Sequence, residues 1–305
     1  MLLRIRRVGV VLAAIGLLAA GCASGEPDDA GAIASGDASG FVQQLKDKGE
    51  LVAGVKFDVP QFGLKSVTTD EVEGFDADMA REVAKELGVD VKFVEALSAN
   101  RIPYLQEDKV DIVFSTMTIT DERKKQIDFS DVYYVAQQSF LTRKGTDMTV
   151  ATAAGKKVCT SKGSTSELNL PAVQPKVEME LQDGYAQCVQ LLRNNQVDAV
   201  STDDVILLQF LKKDPDLFQI SDEKFSTEPY GAGIKKGRSD FVELVNGVIE
   251  DMKSDGRWAA LYKKWVTPVT GSEAPEPPAA DVEFAIKGLE TPVTPSPSPV
   301  ATATP

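Results

Sequence analysis

The sequence predicts an α/β protein of two lobes, each a mostly parallel sheet flanked by helices. Three observations lead there. Short apolar runs alternate with stripes of apolar residues at helical spacing, the pattern of strand–helix–strand units. The central body holds about 220 residues, which suits two lobes better than one. No internal repeat is visible along it.

The first strand is the apolar run at 50–55. Phe75, Met79, Val83 and Leu87 recur every four residues, one face of a helix. Runs rich in β-branched and aromatic residues at 90–94 and 110–114 read as the next strands, each after a helical stretch. Further strands are expected at 157–159, 177–180 and 199–201. Between them Tyr185, Cys188, Val189 and Leu192 mark another helix. Phe241, Leu244, Val245, Val248, Ile249 and Met252 form the clearest stripe, and Gly256 just beyond it is a stop signal.

Both ends differ from this body. Three arginines lie in residues 1–7, and 8–20 is an apolar run followed by small residues and Cys22. This is the layout of a secretory signal, too short to span a bilayer comfortably. Leu18-Ala-Ala-Gly-Cys22 resembles a bacterial lipobox, with Ala19 where leucine is commoner; cleavage would leave Cys22 to be lipid-modified. A plain secretory signal is the alternative. The expected organisation is a lipoprotein signal peptide at 1–21 and a Gly/Ala/Ser/Asp-rich tether at 22–40. Residues 271–305 carry eight of the sixteen prolines and are expected to be a disordered tail.

The 305-residue chain has a net charge of −13. Removing the signal takes three of the 33 basic residues and no acidic one, leaving 30 against 46, or −16. Such a chain is a poor partner for nucleic acid and repels anionic ligands at long range, so an anionic ligand needs a local cationic cluster. Histidine is absent, which removes a Ser-His-Asp triad, a histidine metal site and a histidine proton shuttle. The cysteines are Cys22, Cys159 and Cys188, an odd number that asks one for a separate role.

Five segments together resemble the amino-acid-binding solute receptors of ABC importers, family 3. They are Gly74-Phe-Asp-Ala-Asp78, Arg101-Ile-Pro-Tyr-Leu-Gln106, the run STMTITDERKKQIDFSDVYY from Ser115 to Tyr134, Gly163-Ser-Thr-Ser-Glu167 and Asp198-Ala-Val-Ser-Thr-Asp203. The resemblance covers roughly residues 45–267, and the long run alone is specific. It is strongest to the glutamate, aspartate and glutamine branch, through Gly54-Val-Lys-Phe-Asp58 and the Cys159/Cys188 pair. It implies the type II periplasmic-binding-protein fold. Lobe 1 would span 41–141 and 233–270 and lobe 2 142–232, with crossing strands near 140–143 and 231–234. It also implies a disulfide between Cys159 and Cys188, two buried thiols being the alternative.

A free amino acid brings an α-carboxylate and an α-ammonium, and burying either unpaired costs several kcal/mol. The resemblance assigns the carboxylate to Arg123, whose guanidinium offers two parallel donors. It assigns the ammonium to Asp203, with Thr116 and Thr118 at a strand end as helpers. Composition alone would make Arg123 a solvated charge and Asp203 or Asp204 a helix cap. Gly163, Ser164 and Thr165 precede a helix whose first N–H groups suit an anion, and Ser164 with Glu167 fits a capping box. Lys56, Arg101 and Ser98 match positions that contact a distal carboxylate in acidic-amino-acid receptors. A surface lysine and a structural ion pair are the plain readings of Lys56 and Arg101. Phe57 and Phe62 either wall the cleft or simply pack. Asp183 stands near where some relatives carry histidine, which keeps glutamine in play.

The function implied is capture of glutamate, or else aspartate or glutamine, by cleft closure. The chain would be an extracytoplasmic, lipid-anchored monomer serving a permease and its ATPase, with no cofactor or metal. Presenting the amino acid to a membrane signalling protein is the second reading. An enzyme on this scaffold, like the few dehydratases related to the family, would be expected to lack the Arg123/Asp203 clamp.

Overall fold

The computed structural model describes residues 40–289. The signal segment, Cys22, the tether as far as residue 39 and the tail from residue 290 lie outside the described residues.

The chain begins with α1 (Phe41–Lys48), β1 (Glu50–Val55) and three short strands, β2 (Asp58–Val59), β3 (Gly63–Lys65) and β4 (Val72–Glu73). Then come α2 (Phe75–Leu87), β5 (Asp90–Glu95), α3 (Arg101–Gln106), β6 (Ile112–Val113), α4 (Asp121–Lys124), β7 (Asp128–Phe129) and β8 (Tyr134–Ala136). The second lobe holds β9 (Gln138–Arg143), β10 (Lys157–Ser161), α5 (Ser166–Val173), β11 (Glu178–Gln182), α6 (Tyr185–Arg193), β12 (Ala199–Asp203), α7 (Asp204–Lys213) and β13 (Phe218–Ile220). The return path is β14 (Ser226–Tyr230), β15 (Gly233–Ile234), α8 (Ser239–Ser254), α9 (Arg257–Trp265), α10 (Thr267–Thr270) and β16 (Ala285–Ile286).

Each lobe is built on a five-stranded sheet, ordered β5-β1-β6-β15-β7 in one and β11-β10-β12-β9-β13 in the other. β1 runs parallel to β5 and β6, and β10 to β11 and β12. In each sheet the fourth strand, β15 or β9, is antiparallel to both neighbours, so four of five strands share a direction. The reversed strand is the one that enters from the other lobe, and it therefore arrives at the opposite end of the sheet.

The helical stripes are buried as their spacing demands. Phe75, Met79, Val83 and Leu87 of α2 join Phe241, Val245, Val248, Ile249 and Met252 of α8 over β1. Gly74 opens α2 at φ 133°, where a Cβ would lie 2.2 Å from the Phe62 carbonyl oxygen; only glycine fits this approach. Phe62 itself is core, with ring centroids 5.1 Å from Tyr134 and 5.8 Å from Phe75. Leu141, Val189, Leu192, Leu207 and Phe218 fill lobe 2 around a disulfide from Cys159 in β10 to Cys188 in α6, Cα atoms 5.4 Å apart.

Two expectations are corrected. The strands that pair between the lobes are Tyr134–Ala136 and Glu228–Tyr230, in the register Glu228↔Ala136 and Tyr230↔Tyr134. Residues 140–143 belong to β9 in the lobe 2 sheet, and Gly233–Ile234 is β15 in lobe 1. The apolar character of those runs marks sheet interior, whereas the crossing ladder mixes Glu, Pro and Tyr. Second, residues 271–289 are not a loose tail. The Val132 amide donates to the Ala280 carbonyl at 3.0 Å, β16 adds to β14 through Ser226↔Ile286, and Lys287 N–H donates to the Phe225 carbonyl at 2.9 Å. Proline-rich composition hid this strap because two β-branched or small residues and a handful of backbone bonds suffice to hold it. Ile286 is buried.

Candidate functional site

The groups singled out in the sequence meet between the lobes. From lobe 1, Lys56 follows β1, Ser98 follows β5, and Thr116 and Thr118 follow β6. All lie beyond the carboxyl ends of parallel strands, where α/β sheets present ligand-binding groups. Arg101 opens α3. Arg123 sits in α4, a single turn whose N-cap Thr120 accepts the Arg123 N–H at 3.3 Å. From lobe 2, Gly163–Thr165 links β10 to α5, and Asp203 ends β12.

The Gly163 carbonyl is where the lobes meet. Arg101 Nη2 donates to it at 3.2 Å and Arg123 Nη2 at 3.0 Å. A Cβ on Gly163 would lie 2.7 Å from Ala99 Cα, and its φ of +72° is a glycine conformation. Arg123 Nη1 also donates to the Thr118 carbonyl at 2.7 Å. The half-buried guanidinium is pushed down to about 9, by removal from water first and then by the charge of Arg101; at neutral pH it stays cationic.

Arg101 is buried and spends its donors on the main chain. Nε donates to the Ser98 carbonyl at 3.2 Å, and Nη1 to those of Ser115 and Thr116, both at 3.0 Å. It is tied to backbone in both lobes and, among the described residues, makes no ion pair. Lys56 is not a surface lysine: it is 1% exposed. Its Nζ donates to Ser98 Oγ at 2.9 Å and stands 5.5 Å over the Tyr185 ring. Burial, then Arg101, pushes this ammonium down to about 7, against the opposing pull of Asp58, Asp76 and Asp203.

Asp203 occupies the N-cap position of α7 but makes no cap bond. Asp204, the first residue of the helix, accepts the adjacent Val205 N–H on Oδ1 at 2.9 Å. The buried Asp203 carboxylate accepts a short hydrogen bond from the Tyr230 hydroxyl. Burial, with the nearby Glu228 charge, holds its pKa well above the usual carboxylate range; Arg101 pulls the other way.

The capping box does not form as expected. Glu167 reaches back to the Gly163 N–H at 2.6 Å, and the Ser164 hydroxyl lies 3.3 Å from Thr160 Oγ1. The Thr118 and Thr165 hydroxyls both donate to Glu228 Oε2, at 2.6 and 2.9 Å, so their polar tips already have a protein acceptor.

Three site groups went unread in the sequence. Asp76 accepts the Thr116 N–H at 2.8 Å and the Tyr133 hydroxyl at 2.7 Å, and burial pushes it up to about 7. It steadies Thr116, which sits at φ 43°, a costly conformation for a β-branched residue. Its place in Gly74-Phe-Asp76 was the available signal. Glu228 is fully buried in a crossing strand, and Tyr185 lies under Lys56; neither had a distinguishing pattern. Asp58 Oδ1 and Gln61 Oε1 are also buried, without a hydrogen-bond partner among the described residues. Asp58 Oδ2 comes so near Gly184 at the start of α6 that a Cβ there would be 2.8 Å away.

Beside this cluster runs a groove of about 1090 Å³, lined among others by Arg123, Gly163, Thr165 and Ala280–Phe284 of the strap. Among the described residues no helix is long and apolar enough to cross a membrane.

Comparison with known proteins agrees with this architecture. The glutamine-binding protein GlnH of the Bacillus subtilis ABC transporter is 41% identical over 227 residues, 73% of this chain and 83% of that one. A glutamine-binding protein of Geobacillus stearothermophilus is 38% identical over 249 residues, 77% of this chain and 95% of its own. Among solved structures, an ancestral arginine-binding protein bound to glutamine superposes with a TM-score of 0.68 at 40% identity, covering 72% of this chain and 98% of that one. Residues 51–268 match a single family along the whole two-lobed body, and the chain therefore belongs to the bacterial extracellular solute-binding proteins, family 3, as a binding protein and not an enzyme.

Proposed function

We propose that this chain captures a free polar α-amino acid between its lobes for an ABC importer, with glutamine preferred over glutamate and aspartate. The carrying observation is the convergence of Arg123 from lobe 1 and Asp203 from lobe 2 on one buried cluster. They would take the ligand's α-carboxylate and α-ammonium, whose opposite charges each need a partner once water is excluded. The preference for glutamine rests on Lys56 and Asp58. A terminal amide gives a carbonyl to the ammonium and an N–H to the partnerless Asp58 oxygen. A second carboxylate would face Asp58 as a like charge. The order differs from the glutamate preference expected from Lys56 and Arg101, because Arg101 makes four hydrogen bonds to main-chain carbonyls, from Nε, Nη1 and Nη2, whereas Arg123 makes two and keeps donors for a ligand. The glutamine-binding relatives support the same reading. The N-terminal segment would be cleaved before Cys22, and lipid on that cysteine would hold the receptor at the outer face of the membrane.

Titration calorimetry across the twenty amino acids should place glutamine first and glutamate or aspartate next. A preference for basic or large apolar ligands would overturn the side-chain assignment. Arg123→Ala should weaken glutamine binding by about 3–5 kcal/mol, because the ligand carboxylate loses its charged partner, while the melting temperature changes little. Unchanged affinity would move the carboxylate site elsewhere.

A further inference from the structure

Glu228 lies on the return crossing strand and so belongs to neither lobe. Its carboxylate is fully buried, yet it touches both lobes. Oε2 accepts from Thr118 Oγ1 of lobe 1 at 2.6 Å and from Thr165 Oγ1 of lobe 2 at 2.9 Å. Oε1 accepts from Asn169 Nδ2 of lobe 2 at 3.1 Å. Gln138 completes the cluster, donating to Thr165 Oγ1 at 2.9 Å and accepting from Asn169 Nδ2 at 3.2 Å.

A buried carboxylate is tolerated only when donors surround it. Here the donors come from both lobes, so the carboxylate is fully satisfied only when the lobes are together. Residues 117–119 are bonded to the same strand, Ile119 N–H to the Pro229 carbonyl at 2.7 Å and Gly231 N–H to the Met117 carbonyl at 3.1 Å, so it is lobe 2, swinging away, that must take the Thr165 and Asn169 donors with it. Among these partners Thr118 is the single lobe 1 member, and its carbonyl receives Arg123 Nη1 at 2.7 Å. The chain of contacts therefore runs from the hinge to the guanidinium that grips the ligand: Glu228 holds Thr118, and Thr118 aims Arg123.

We propose that Glu228 is a positioning residue that clasps the two lobes in the closed state and fixes Arg123 through Thr118, slowing ligand release without touching the ligand. The proposal rests on the reading of the cleft as an amino-acid site, so one arm of its test needs no ligand. Glu228→Gln keeps the shape but replaces an acceptor oxygen with a donor, which cannot serve the hydroxyls and Asn169 together. In stopped-flow fluorescence with glutamine, its dissociation rate should rise at least tenfold while the association rate stays within about threefold. In small-angle scattering without ligand, the variant should be more extended than the wild type. Thr118→Val should raise the dissociation rate too, and the double variant should be no faster than the worse single one, because one contact is being removed twice. Glu228→Asp, which keeps the charge but is too short to reach both lobes, serves if the glutamine variant does not fold. Unchanged dissociation and scattering, or additive effects in the double variant, would overturn the clasp. Failure of the wild type to bind any amino acid would defeat the proposed function, and the ligand-free scattering would still judge the clasp.

Discussion

Asp76 shows how a single buried carboxyl shapes a loop. It holds the Thr116 N–H and so stabilises a main-chain conformation that threonine adopts at a cost. Burial raises its pKa from 3.8 to about 7. The folded state then binds this proton more tightly than the unfolded chain. The stability contributed is complete below about pH 4, lost as pH rises to about 7, and flat beyond. Asp76→Asn does not titrate there, and the other groups titrate alike in both proteins. Measured by thermal melting, the advantage of wild type over Asp76→Asn should shrink between about pH 4.5 and 7, by on the order of a few kcal/mol, and then stay level. A gap independent of pH would mean that Asp76 ionises normally. At this scale, Arg123 and Asp203 were legible because each sits in a recognisable segment. Glu228 and Tyr185 were not, since their partners Thr118 and Lys56 lie 110 and 129 positions away, and Asp76, though inside Gly74–Asp78, acts on Thr116 and Tyr133, 40 and 57 positions on.

Among the elements, periodicity located what it could. α2 and α8 are long enough for a stripe to stand out, β1, β10 and β12 are mostly apolar or small and β-branched residues, and β5 keeps Val91, Phe93 and Val94 among its charges. Strands such as β2, β6, β7 and β15 span two residues each, too few for any alternation to register. β16 was missed for the same reason, and its pairing with β14 comes from more than fifty residues away. Removing everything after Gly271 would strip that strand from the edge of β14 and expose the crossing ladder. Burial of Ile286 and the lost backbone bonds outweigh the chain entropy regained only modestly. A loss of about 1–3 kcal/mol is expected, seen as a melting temperature lower by about 3–10 °C. A truncated chain that melts with the full one would show that the strap carries no stability.

The whole molecule is strongly acidic, with a net charge of −13, yet its cleft gathers Lys56, Arg101 and Arg123. The two lobes and their alternation were readable from composition and spacing, whereas the closeness of their approach was not. That approach is tightest at Gly163. An added methyl there would meet Ala99 main-chain atoms at 2.7 and 2.8 Å, and a backbone cannot swing aside as a side chain can. Gly163→Ala should therefore leave each lobe folded but prop the jaws apart. Glutamine affinity should fall at least tenfold, and scattering with saturating ligand should stay extended. A compact liganded form would show that the main chain yields. Such a doorstop would give experimental access to an unclosed form, in which the two guanidiniums no longer share one carbonyl.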